Sequence, residues 1–449
     1  MIGRMLLRWF GIAGACVACV SIVPGVSTPD GTGAAEDVSD SPSAGTSGTL
    51  RDRFSFASPD FFPILPWDPQ HGWKSPFSSK RARGLPSIAE CGFTMAGFVR
   101  PEDLPECERL GLAAIVLTDS GLINGKEFRK LSDADIDRLM KRAVEQTRNS
   151  PAVMGYFITD EPGASDFPFL AKAVEAVRRL APGKLAYINL FPDYASLGAR
   201  NASQLETETY AEYLERFVTE VKPQFISYDN YMVQYSLDLR DAGKAASYYR
   251  NLLEVRRVAL AHGLPFWNIV SSNQIRSFTT IPSPANLQFQ AYTTLAAGGR
   301  GVSWYTYYGG GYSYAPVDST DHLTLTWHSL REVNRQIAVI GPVMNRLTST
   351  GVFFTPPPPA DGLPVLPGKL VSEAVSDAPM MTGEFTDETG AGYVMAVNLS
   401  LERSARFSLK PGAPRTLEFL SAEDGSWRPM DSSAGLWLTA GQGVLVRLR

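Results

Sequence analysis

The feature that most constrains the fold is an alternation of two textures between Phe61 and Tyr308. Eight short apolar runs alternate with segments of helical period. The runs are "FFPILPW" (61–67), "FTMAGFV" (93–99), "AAIVLTD" (113–119), "VMGYFITD" (153–160), "KLAYINLF" (184–191), "QFISYDNY" (224–231), "PFWNIVSS" (265–272) and "GVSWYTYY" (301–308). Each is nearly continuous in hydrophobicity rather than alternating, the pattern of parallel strands covered on both faces. Between them, "DADIDRLMKRAVEQTRN" sets Ile136, Leu139, Met140, Ala143 and Val144 on one helical face behind the N-cap candidate Ser132. "FLAKAVEAVRRLAPG" repeats the pattern and stops at Pro-Gly. Eight such units predict an α/β fold, a (β/α)8 TIM barrel over residues 53–347. The rival, a doubly wound open sheet, wants a Gly-rich phosphate loop after the first strand, and none stands there.

The texture changes after Leu347. "TPPPPADGLP" reads as a stiff connector, and "AGYVMAVNLS", "ARFSLK", "TLEFLS" and "GVLVRLR" are short alternating strands. They predict a small C-terminal antiparallel β-sandwich across 348–449. At the other end, Arg4 and Arg8 precede an apolar stretch and then small residues, a secretory signal pattern over 1–27 that is too short and too rich in Gly and Ala for a stable membrane span. Cys16 and Cys19 within it offer a degenerate lipoprotein cleavage site, so a lipid anchor stays open. Residues 28–52 read as a disordered Ser/Gly/Thr-rich tether. The expectation is export to a bacterial periplasm, cell surface or exterior. There, Cys91 and Cys107 would be either a disulfide or two buried thiols. A net charge of −4 without a basic stripe gives no reason to expect nucleic acid. Nothing in the sequence signals an oligomeric state.

In barrels of this kind the chemistry sits at the C-terminal strand ends. Those ends carry Trp67 and Asp68, then Asp119, then Asp160 and Glu161, Asn189, and Tyr228, Asp229 and Tyr231. Asn268, Trp304 and Tyr305 complete the set. Carboxylates, amides and aromatic rings suit a sugar, whose apolar C–H faces stack on flat rings and whose hydroxyls pair with polar groups. The chain's four His residues are scattered, so neither a metal nor another cofactor is expected. A glycosidic bond breaks through an oxocarbenium-like state that needs an acid at the leaving oxygen, and Glu161 fits that role. Asp160 and Asp229 are the candidate second groups. Two carboxylates beside each other are expensive next to an apolar run unless they are used.

The strand-four ending "YFITDEP" resembles the Asn-Glu-Pro ending of strand four in the clan A barrel glycosidases, where the Glu is the acid/base. The resemblance implies a secreted glycoside hydrolase acting on an oligo- or polysaccharide. It departs in two places: Asp160 stands where that clan has Asn, and "FWNIVSSN" on strand seven lacks the Glu that serves as nucleophile. The adjacent Asp-Glu also resembles the pair in hexosaminidase-type barrels, where the substrate's acetamido group attacks. The expected catalytic trio is therefore Glu161, Asp229 and Asp160. Trp67, Asp68, Asp119, Asn189, Tyr228, Tyr231, Asn268, Trp304 and Tyr305 are the expected substrate ligands. A non-catalytic carbohydrate-binding barrel is the alternative.

Overall fold

The structure, a computed structural model, describes residues 55–67, 82–117, 125–199, 202–235, 239, 241–309 and 311–449. The expected signal segment, the whole tether, and Asp68 and Asp119 lie outside the described residues. Eight parallel strands follow one another: β1 (Ile64–Pro66), β2 (Met95–Val99), β3 (Ala113–Val116), β4 (Val153–Asp160), β5 (Leu185–Leu190), β6 (Ile226–Asp229), β7 (Phe266–Ser271) and β8 (Val302–Tyr305). The sheet runs β1-β8-β7-β6-β5-β4-β3-β2, and Thr94 closes the ring by donating its backbone N–H to the Ile64 carbonyl. The fold is a TIM barrel. Helices cover it, each burying the face its period marks. In the helix Asp133–Thr147, Ser132 caps the N-terminus through Asp135 N, and Ile136, Met140, Ala143 and Val144 are buried.

Two cores follow from strand alternation. Outward residues such as Tyr156, Ile188, Tyr228 and Val270 join the layer between strands and helices. Inward residues Trp67, Phe98, Tyr187, Phe225, Trp267 and their neighbours fill the barrel. Trp67 meets Phe98 edge-on at 4.7 Å and Tyr187 at 5.7 Å, while Phe56 plugs the lower end against Phe225 and Trp267. The barrel is a packed solid on which a site can be rigidly mounted.

After the barrel come β9 (Thr348–Phe354), β10 (Val371–Ser376), β11 (Met380–Thr386), β12 (Gly392–Asn398), β13 (Ala405–Pro411), β14 (Leu417–Leu420), β15 (Trp427–Met430), β16 (Leu436–Leu438) and β17 (Gly443–Leu448). They form a six-stranded antiparallel sheet, β15-β14-β17-β12-β11-β9, and a three-stranded one, β10-β13-β16. Along β12, Val394 and Ala396 face the small sheet's core, while Met395 and Val397 join the barrel's core. The large sheet is thus apolar on both faces. Its second face lies on the helix Pro284–Ala296, whose residues from Asn286 onward are buried except Gln288, as expected of a helix covered on both sides. Gly383 permits that approach, because a Cβ there would collide with the Ala296 carbonyl. Gly383→Ala is expected to lower stability by about 1–3 kcal/mol, read from chemical denaturation.

Cys91 and Cys107 are both buried free thiols. Burial pushes both thiols up from their ordinary range.

Candidate active site

The site is built from the ends of β4, β5 and β6. Strand β4 does not alternate cleanly: its register against β5 slips between Phe157 and Thr159, so that Phe157 pairs with Tyr187 and Asp160 with Asn189. Such an extra residue re-aims the side chains beyond it. Phe157 faces the barrel interior, 4.3 Å from Phe98, and Asp160, three residues on, also faces inward and accepts from Asn189 Nδ2 at 3.0 Å. The next residue, Glu161, has φ of 45°, a left-handed conformation that an L-residue with a long side chain rarely adopts. Its N–H is held by the Asn189 carbonyl at 2.9 Å. A plain strand would send neighbouring carboxylates to opposite faces. The slip and the positive φ bring Asp160 and Glu161 to the same mouth.

Asn189 is the hub. Its Nδ2 donates to Asp160 Oδ1 and to Asp229 Oδ1, each at 3.0 Å. Its Oδ1 accepts from the Ser227 hydroxyl at 3.0 Å, and that hydroxyl pairs with the Tyr187 hydroxyl at 2.9 Å. The relay fixes the amide's orientation, so its two N–H groups point at the carboxylates. Asp229 is buried, and the Glu161 and Asp229 carboxyls act on one another's ionisation.

Glu161 opens to solvent on the mouth side while the protein packs around its base. Desolvation and the charges of Asp229 and Asp160 hold its pKa well above the usual carboxylate range. Burial first, then the charge of Asp160, pushes Asp229 up to about 8, against the opposing help of Asn189 and Glu161. Neighbouring carboxyls in one site cannot both ionise readily, so protons stay on the site to higher pH.

The loop beyond Glu161 is clamped from behind. Tyr213 Oη donates to the Pro162 carbonyl at 2.7 Å, Ala164 N donates to the Leu205 carbonyl at 3.0 Å, and Ser165 N donates to Glu206 Oε2 at 3.0 Å. Arg129 joins Glu206, 3.1 Å away, to Asp166 at the start of the helix Phe167–Leu180. Both carboxylates are almost fully buried. Arg129→Met leaves two buried anions uncompensated and is expected to cost about 3–5 kcal/mol, measured as a lowered denaturation midpoint.

The expected substrate ligands divide. Asn189 stands in the site. Tyr231 and Tyr305 are half-buried and lie 5.3 Å apart at its edge, and Tyr305 Oη meets Tyr312 Oη at 2.5 Å. Four expectations are corrected. Tyr228 is fully buried in the layer between strands and helices, because alternation on β6 sends it outward when Ser227 and Asp229 point in. Asn268 lies on the outer face of β7 and donates to Thr294 on the helix Pro284–Ala296. Trp304 likewise points outward and donates from Nε1 to Asn334 at 2.8 Å. Trp67 is 4% exposed and forms the floor beneath the mouth rather than an open stacking surface. Tyr194 was missed: it follows β5, and its hydroxyl accepts from Tyr231 N at 3.3 Å. Among the described residues no group of three His, Cys, Asp or Glu side chains is placed to hold a metal ion, and no helix is long and apolar enough to cross a membrane.

No known family matches the chain by sequence, and no curated protein does either. Its likeness is structural. A glycoside hydrolase family 5 protein from Bacteroides vulgatus ATCC 8482 superposes with a TM-score of 0.52 at 11% identity, over 86% of this chain and 89% of that one. A second structure, described as a glycoside hydrolase, gives 0.51 at 10% identity over 86% and 92%. The barrel and its trailing sandwich are an architecture that glycoside hydrolases share.

Proposed function

We propose that this chain is an exported glycoside hydrolase in which Glu161 is the general acid/base. The observation that carries the reading is the set of three carboxyls at the barrel mouth, Asp160 and Asp229 both held by Asn189 Nδ2 at 3.0 Å, with the pKa of the Glu161 carboxyl beside them held well above the usual range. A carboxyl that keeps its proton near neutral pH is what a leaving glycosidic oxygen requires. In the proposed step Glu161 gives that proton to the glycosidic oxygen as the bond to the anomeric carbon breaks. Negative charge left on the trio, with Asn189 fixing its geometry, then stabilises the positive charge growing on the sugar ring. Water completes hydrolysis, returning a proton to Glu161. The shared fold with glycoside hydrolases and the aromatic edge of Tyr231 and Tyr305 support the same substrate class. Export rests on the N-terminal sequence pattern.

Asp229 takes a different part from a free nucleophile. Paired carboxyls that act on opposite sides of a sugar stand about 5–5.5 Å apart in retaining enzymes and about 6.5–9.5 Å in inverting ones. Asp229 is 2% exposed and tied to Asn189 Nδ2 at 3.0 Å, so it is placed to act on Glu161 rather than to meet an anomeric carbon. Asp229 therefore holds and tunes the proton of Glu161, and Asp160 is the group left to orient a substrate hydroxyl or acetamide. Strand seven carries Ser271 and Ser272 where the clan A resemblance implies a nucleophile. That absence favours the second reading, a barrel that binds carbohydrate without cleaving it. A screen of aryl glycosides and polysaccharides with the parent and Glu161→Gln separates the two. Cleavage by the parent that falls steeply in the variant is expected, whereas binding without turnover in both would leave only the binding reading.

A further inference from the structure

Beyond Tyr231 and Tyr305 the aromatic edge continues along the mouth. Tyr312 packs at 5.5 Å on Tyr305, which lies 5.3 Å from Tyr231. Tyr231 leads into the short helix Met232–Tyr235. At its far end Tyr235, half-buried, meets Phe278 at 6.4 Å with the ring planes inclined by 53°. Tyr235 follows β6 and Phe278 follows β7, so both stand on loops at the end of the barrel that carries the trio.

Phe278 is 78% exposed. An isolated exposed Phe is ordinary, but this one sits on a loop built to stay in place. The buried side chain of Gln234 accepts from Ile275 N at 2.9 Å and from the Thr279 hydroxyl at 3.1 Å, and its carbonyl accepts from Thr280 N at 2.9 Å. Gln274 Nε2 donates across the loop to the Thr279 carbonyl at 2.7 Å, and Gln274 N reaches the Ser313 carbonyl of the strand-eight loop at 2.8 Å. The loop is thus pinned on both sides of the ring by Gln234 and Gln274, while the ring itself stands open to solvent. A packing role would bury Phe278. A held, open, inclined pair of rings is instead preorganised for a flat apolar face.

We infer that Tyr235 and Phe278 form an outer sugar platform, separated from the trio by the Tyr231–Tyr305 edge. The inference rests on the hydrolase or binding reading of the mouth and narrows its ligand to a chain of several sugar units. A single glycoside spanning the trio leaves the outer rings empty, whereas a longer chain lays the C–H face of a further unit on them.

The test is calorimetric titration of the full chain and of Phe278→Ala with cello-, xylo- and chito-oligosaccharide ladders of two to six units, with Phe278→Trp as rescue. In the parent, one added unit is expected to tighten Kd about tenfold at one step of one ladder. That step should vanish in Phe278→Ala and return in Phe278→Trp. Equal length steps in the parent and Phe278→Ala overturn the platform, as does a parent that binds none of the ladders at millimolar concentration. A parent that shows the Phe278-dependent step and cleaves nothing keeps the platform and removes the hydrolase reading.

Discussion

Glu161→Gln lowers kcat/KM on unactivated glycosides by about 10²–10⁴-fold, the range that general acid catalysis contributes. Gln keeps the size of the side chain, so sugar affinity stays within a few fold of the parent. The parent's kcat/KM falls on its alkaline side as Glu161 ionises. Because desolvation, Asp229 and Asp160 all hold that pKa up, this limb lies well above the ordinary carboxylate range of about 4. A parent whose activity already falls away between pH 4 and 5 would contradict the raised acid. Stopped assays across pH 3–9 with both proteins read out these effects.

Asp229→Asn separates stability from activity. The folded carboxyl titrates at about 8, against about 3.9 unfolded. The folded state therefore binds more protons across that window, and stability falls as pH rises through it. Below pH 4 there is no penalty, and near pH 8 most of it is present. Asn cannot ionise, and its Oδ1 still accepts from Asn189. The variant is expected to match the parent's unfolding free energy near pH 4 and to exceed it by several kcal/mol, up to about 5, at pH 8. Its activity moves the other way. Without the neighbouring anion the Glu161 pKa drops, so the alkaline limb shifts to lower pH and kcat at pH 7 falls about 10–100-fold. Parallel denaturation curves at pH 4 and pH 8, set beside the pH–rate profile, check both halves. A variant less stable at pH 8 than the parent would mean that Asp229 is a satisfied structural anion.

The barrel was legible because its signal is redundant. Eight apolar runs, each followed by a helical face, leave few other ways to bury so much surface, and β4 spans the same residues in sequence and structure, Val153–Asp160. Glu161 and Asp229 were legible as polar groups at strand ends, where burial makes an unused carboxylate costly. The ligand set was less so, since an apolar run covered on both faces does not declare which residues point inward. Tyr228, Asn268 and Trp304 fell on the outer side for that reason. Alternation counted back from Asp229 places Tyr228 outward, a signal that was there to use. The slip in β4 and the positive φ at Glu161 arise from pairing with β5 and leave no mark in local composition. Gln234 and the Arg129–Glu206–Asp166 clamp are equally tertiary: ordinary polar residues in sequence, made structural by partners far along the chain.

The most direct measurement varies the leaving group. A 2,4-dinitrophenyl glycoside departs without protonation, whereas an alkyl glycoside does not. If Glu161 delivers the proton, kcat/KM of Glu161→Gln drops by at least about 10²-fold on the alkyl substrate and by far less on the dinitrophenyl one. Equal losses on both, or no loss on either, would contradict a proton donor at Glu161.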